Sequence, residues 1–118
     1  MSKIKFDAKL KSKDENLHIF GLGVRSDNRI CYKEENVKVT LYIYPNKVEM
    51  ERVTKEYKVK LSFKLEDKEL STYKVNGYDE ILLDVDTKNL FISDNCIKID
   101  YTLEGNEFSY VLSVEDLW

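Results

Sequence analysis

Apolar and polar residues alternate along this chain with a period of two, the spacing of an extended strand rather than of a helix. From Lys3 to Lys11 the chain reads KIKFDAKLK, with Ile4, Phe6, Ala8 and Leu10 separated by charged residues. Successive side chains of a strand point to opposite faces, so such a run buries one face and wets the other. The rhythm returns at Val37 to Tyr44, Tyr57 to Leu65, Ile97 to Leu103 and Phe108 to Val114. An all-β, antiparallel domain is the fold class this pattern predicts.

Between these runs lie turn signals: SKDEN after the first strand, Ser26 to Asn28, Asn76-Gly77 and Gly105-Asn106. Asn and Gly accept the positive φ values that tight hairpin turns impose. Pro45 ends the strand from Val37 by removing a ladder donor. Gly21 and Gly23 interrupt the alternation of LHIFGLGVR, the mark of a bulge or of a strand bending over an edge. Two stretches lose the period. In residues 46 to 56, Val48, Met50 and Val53 do not hold one face, and TKNLFISDN follows Asp86 without alternation. Read as connections that switch sheets, they favour a sandwich over a barrel. The expectation is one domain over residues 1–118, a β-sandwich of eight to ten strands, immunoglobulin-like in architecture but without the Cys, Trp and Cys spacing of true immunoglobulin domains.

Charge refines this picture. The net charge is only −3, yet residues 1–64 carry 12 Lys and 3 Arg against 9 acids, a net of +6. Residues 65–118 carry 4 Lys against 13 acids, a net of −9. Whether the split becomes two surfaces depends on how the strands interleave. Cys31 and Cys96 match no metal-ligand spacing; they read as two reduced strand residues, with an inter-strand disulfide of an exported protein as the alternative. With no apolar leader in MSKIKFDAK and no run long enough to span a membrane, the expected compartment is the cytoplasm.

Candidate chemistry is sparse. His18 is the single histidine, and a small enzyme built on His18 and Cys31 is the least favoured alternative, because no nucleophile elbow, zinc-protease helix or second histidine completes an arrangement. Asp84, Asp86 and Asp94 with Asn89 and Asn95 are the right residue types for calcium but lack a loop with its spacing, so no metal and no cofactor is expected. Lysines form two outward rows, Lys3, Lys5, Lys9 and Lys11 and then Lys58, Lys60 and Lys64, a basic face if their strands are neighbours. Outward aromatics do not interleave with them, which argues against nucleic acid.

Tyr42, Tyr44 and Tyr73, with the outward Leu82 and the terminal Trp118, make the candidate binding surface, although Tyr73 and Val75 fit the buried side of their strand equally well. The leading expectation is a non-enzymatic protein-interaction module that binds a protein partner through its outer aromatics, its charged halves or an exposed edge strand. The same edge offers a route to homo-oligomers, and no membrane association is expected. A carbohydrate- or small-ligand-binding β-domain is the alternative, and a concave pocket lined by inward apolar side chains is the feature that would favour it.

Overall fold

The computed structural model describes residues 1–66 and 70–117. Its strands are β1 (Ser2–Ser12), β2 (Asn16–Ser26), β3 (Arg29–Glu34), β4 (Val37–Ile43), β5 (Lys47–Val53), β6 (Tyr57–Lys64), β7 (Ser71–Val75), β8 (Ile81–Leu83), β9 (Val85–Ile92), β10 (Cys96–Leu103) and β11 (Asn106–Asp116). All neighbours are antiparallel, and the order is β8-β7-β6-β5-β4-β3-β2-β1-β11-β10-β9. The described residues include no helix long and apolar enough to cross a membrane.

The all-β antiparallel class holds, but the architecture is not the expected sandwich of eight to ten strands. The described residues form one sheet of eleven strands, rolled into a nearly closed barrel. The reason lies in the two segments read as sheet-switching connections. Residues 47–53 form β5, which pairs with β4 and with β6 along its whole length. Residues 85–92 form β9, which pairs with β10 and meets β6 at the closing seam. There the Lys64 N–H donates to Thr87 Oγ1 at 3.1 Å. With no segment left to change sheets, the chain meanders and the sheet curls on itself.

The inward set follows the alternation: Ile4, Phe6 and Ala8 of β1, Ile30 and Tyr32 of β3, Val39 and Leu41 of β4, and Val48 and Met50 of β5 are all buried. Leu61, Phe63, Val85, Ile97, Ile99, Tyr101, Tyr110, Leu112 and Val114 complete the core from the other wall. Tyr101 is a core ring, lying 4.6 Å from Phe63 and stacked at 5.4 Å on Phe108. Arg25 links neighbouring segments at one end of the strands, its Nη2 donating to the Asp94 carbonyl at 2.6 Å and its Nε lying 3.3 Å from Asp116.

Turn chemistry matches the hairpins only in part. Asp27, Glu35 and Glu104 take positive φ in two-residue turns, so the last hairpin turns on Glu104-Gly105, one residue before the expected pair. Gly77 has φ 88°, but the Asn76-Gly77 turn does not lead straight into a strand, and β8 begins only at Ile81. Ile81 is 56% exposed there.

Candidate functional site

Strand β2 is the irregular member of the wall. It pairs with β1 from Ser2↔Arg25 to Lys11↔Asn16, but with β3 only at Val24, Arg25 and Ser26. Above Gly23 the two strands part. A Cβ built on Gly23 would stand 2.7 Å from the Cys31 carbonyl oxygen and 3.3 Å from Tyr32 Cβ, so only glycine lets β2 pass this close before it turns away. At Gly21 the nearest neighbour is the Phe6 ring at 3.5 Å, an ordinary contact. The interruption seen in the sequence is therefore a bend, and Gly23 is its pivot.

Among the described residues, the bend leaves a backbone edge unused. The Ser12 N–H donates to Glu15 O at 2.9 Å and sets the phase of the β1–β2 ladder. With that phase, Leu17, Ile19 and Gly21 direct their N–H and C=O groups at β1, while His18, Phe20 and Leu22 direct theirs at the opening. Phe20 is 73% and Leu22 67% exposed, on the outer face of the same edge. The His18 imidazole Nε2 lies 3.0 Å from both carboxylate oxygens of Asp7 and its ring packs against Phe20.

Between β2 and the opposite rim lies an open cleft of about 980 Å³. Leu17 and Ile19 form one wall, and residues 33–38 with residues 53–57 form the other. Its inner end carries charge. Glu34 is buried, and its carboxylate accepts two bonds from the Arg52 guanidinium, one from Nη1 at 3.2 Å and one from Nη2. Arg52 faces inward because it continues the series Val48, Met50, and Glu34 does so because it continues Ile30, Tyr32. Beside them the Tyr32 and Tyr110 hydroxyls share a hydrogen bond of 2.8 Å. Burial pushes both phenols well up, and it pushes that of Tyr101 up to about 12. Sequence patterning that follows apolar residues misses Glu34 and Arg52; their signal is a charged residue standing in the inward phase of each strand.

The residues that were singled out do not assemble. Tyr42 and Tyr44 are half-buried on the outer side of β4 and the turn after it, with Lys47 5.0 Å above the Tyr44 ring. Tyr73 lies in the inward phase opposite Val59, 5.8 Å from Tyr57, so the three tyrosines do not share a face. Leu82 is exposed at the edge strand β8, and Trp118 lies outside the described residues.

The two lysine rows are not neighbours, since four strands separate β1 from β6. Lys58 and Lys60 pair with Glu51 and Glu49 of the adjoining strand, at 3.8 and 3.7 Å. His18 and Cys31 share a sheet, but Cys31 sits opposite Val24, about 20 Å along β2 from His18. Cys31 and Cys96 are free thiols. Asp84 and Asp86 stand at the start of β9 while Asp94 and Asn95 lie in the turn beyond its far end, so the acids do not converge.

Comparison with known proteins bears on the fold. No curated protein matches the chain. Among solved structures, the crystal structure of the ywiB protein from Bacillus subtilis is similar, with 16% identity over 97% of this chain and 89% of that one and a TM-score of 0.66. At that identity the likeness concerns the rolled sheet alone. The family model described as Domain of unknown function (DUF1934) matches residues 4–112, and the chain belongs to that family.

Proposed function

We propose that this protein is a non-enzymatic interaction module that takes up an extended segment of a protein partner as an added strand along the free edge of β2. One observation carries the reading: above Gly23, β2 is laddered, among the described residues, to β1 alone, and the backbone groups of His18, Phe20 and Leu22 face an opening rather than a neighbour. A row of unpaired N–H and C=O groups is a template for another strand, and proteins that do not use such an edge protect it with charge or proline. Here the edge carries the exposed Phe20 and Leu22 instead.

The test is affinity capture from the source cell with the wild-type chain, the double variant Phe20→Lys/Leu22→Lys, and Phe91→Lys as a control at another exposed aromatic. The expected partner is retained by wild type and control, is lost by the double variant, and slows amide exchange at His18, Phe20 and Leu22. A partner indifferent to the double variant, or one that leaves those amides unprotected, refutes the reading.

A second reading is a small ligand held in the same cleft. The inward Glu34–Arg52 pair behind Leu17, Ile19 and Val37 favours it, as a few polar groups in an apolar concavity are the usual make-up of a ligand site. Such a ligand would shift the resonances of Glu34 and Tyr57 without protecting the outward-facing β2 amides.

A further inference from the structure

The strand order answers the question left by the uneven charge. Strands β1 to β6 hold the residues of the +6 half, and they stand side by side in the sheet. The basic half is thus one continuous wall, and the free edge of β2 lies within it. Of the acids around the edge, Asp7 is engaged by His18 and Glu34 by Arg52, while Asp14 and Glu15 in the turn before β2 and Glu115 opposite Lys5 are exposed. Glu35 and Glu56 remain at the rim, against Lys33, Lys38 and Lys55.

On the outer face, Lys5 stands opposite Leu22 and Lys9 opposite His18, one strand behind the edge. Lys33 continues the outward phase of β3 on the other side of the opening, and all three lysines are exposed. Among the described residues none of the three has a carboxylate within ion-pair distance. Inward of the edge the cleft wall is Leu17 and Ile19.

A strand laid along β2 presents its side chains alternately to these two environments. We infer that the segment recognised is acidic and alternating, with apolar residues in phase with Leu17 and Ile19 entering the cleft and Asp or Glu in phase with Phe20 and Leu22 lying among Lys5, Lys9 and Lys33. This rests on the strand-addition reading above and adds the partner's chemistry to it. Opposite charge steers the segment to the edge and sets which face it turns inward, while the backbone ladder holds it.

The experiment uses the full chain and three pools of labelled peptides of about eight residues, enough to span the open run of β2 at roughly 3.3 Å per residue. Each pool has Val, Ile or Phe at alternate positions, and Glu or Asp, Ser or Thr, or Lys or Arg between them. By fluorescence polarisation at low salt the acidic pool binds about tenfold tighter than the Ser/Thr pool, and the gap closes as salt screens the lysines. The Lys5→Glu/Lys33→Glu variant, which alters exposed residues only, reverses the preference. Equal binding of the acidic and Ser/Thr pools overturns the acidic partner and leaves strand addition standing. Binding by no pool, or binding unchanged in Phe20→Lys/Leu22→Lys, overturns strand addition itself. Self-association of the protein alone through this edge, seen as a mass that rises with concentration and falls back in the same double variant, makes the occupant a second copy and also overturns the inference.

Discussion

The two ends of β2 are built on opposite plans. At its lower end the strand is laddered on both sides, to β1 and to β3, and Arg25 ties it to the Asp94 carbonyl. At its upper end it keeps β1 and gives up β3. Local preference does not explain the change, because Phe20 and Leu22 suit a strand as well as anything below them. Length and sterics do. β3 has six residues against eleven in β2, and Gly23 brings the two backbones so close at Cys31 that β2 departs immediately afterward. Pairing on one side is enough to hold a strand's shape while leaving its other edge available.

The largest test of this contrast lies across the cleft, where Glu34 and Arg52 hold the opposing rim. Arg52→Met leaves a buried carboxylate without its cation and should cost about 3 kcal/mol in urea denaturation. Adding Glu34→Gln should recover most of it, since the pair as a whole contributes little beyond what its isosteres would. A single variant costing under about 1 kcal/mol would show the rim to be held by other contacts. The pivot comes next. Gly23→Ala must displace the Cys31 backbone and should cost about 1–3 kcal/mol, whereas Gly21→Ala meets only a ring face and should stay within about 0.5 kcal/mol. Equal effects at the two glycines would dissolve the pivot.

The tyrosines behind the rim set a smaller, pH-dependent term. Their folded-state values lie above the ordinary value of 10.0, so the fold favours the protonated phenols. That contribution is complete below pH about 10, where folded and unfolded chains are both protonated, and is lost as pH rises through the folded values. Stability should hold near neutral pH and fall in alkali. Tyr110→Phe should cost about 1 kcal/mol at neutral pH by leaving the Tyr32 hydroxyl without its partner. It should also make the alkaline decline shallower, which thermal melts across pH would record. A decline as steep as that of wild type would remove Tyr110 from the explanation.

How far the sequence reveals these features depends on what marks them. Ile4, Phe6 and Ala8, or Val39 and Leu41, announce their strands because every inward position is apolar. In β5 the inward series is Val48, Met50 and Arg52, and a reading that follows apolar residues alone jumps to Val53, loses the phase and turns a fully paired strand into a crossover. The lost strand then made a sandwich of what is a rolled sheet. The site was hidden for the same reason: Glu34 and Arg52 look like surface charges until their phase is respected. The outer tyrosines drew attention by their size, yet Tyr73 proves to be in the inward phase. The interruption at Gly21 and Gly23 was legible as a bend, but not which strand it would leave unpaired, since that depends on a β3 partner too short to follow.

The smallest expected effect is the one that separates an available edge from a merely frayed one. If the upper half of β2 were loose, amide exchange would be fast at every residue from Leu17 to Leu22. The β1–β2 ladder requires alternation instead: Leu17, Ile19 and Gly21 donate to β1 and should exchange slowly, while His18, Phe20 and Leu22 face the opening and should exchange fast. Phe20→Lys should leave both this pattern and the stability within about 0.5 kcal/mol of wild type, because a side chain already 73% exposed gives up little by becoming charged. Uniformly fast exchange would mean that β1 alone does not fix the strand, so that any partner would have to order the edge as well as bind it. Alternating exchange means the template exists before the partner arrives, and binding then costs the ordering of one chain instead of two.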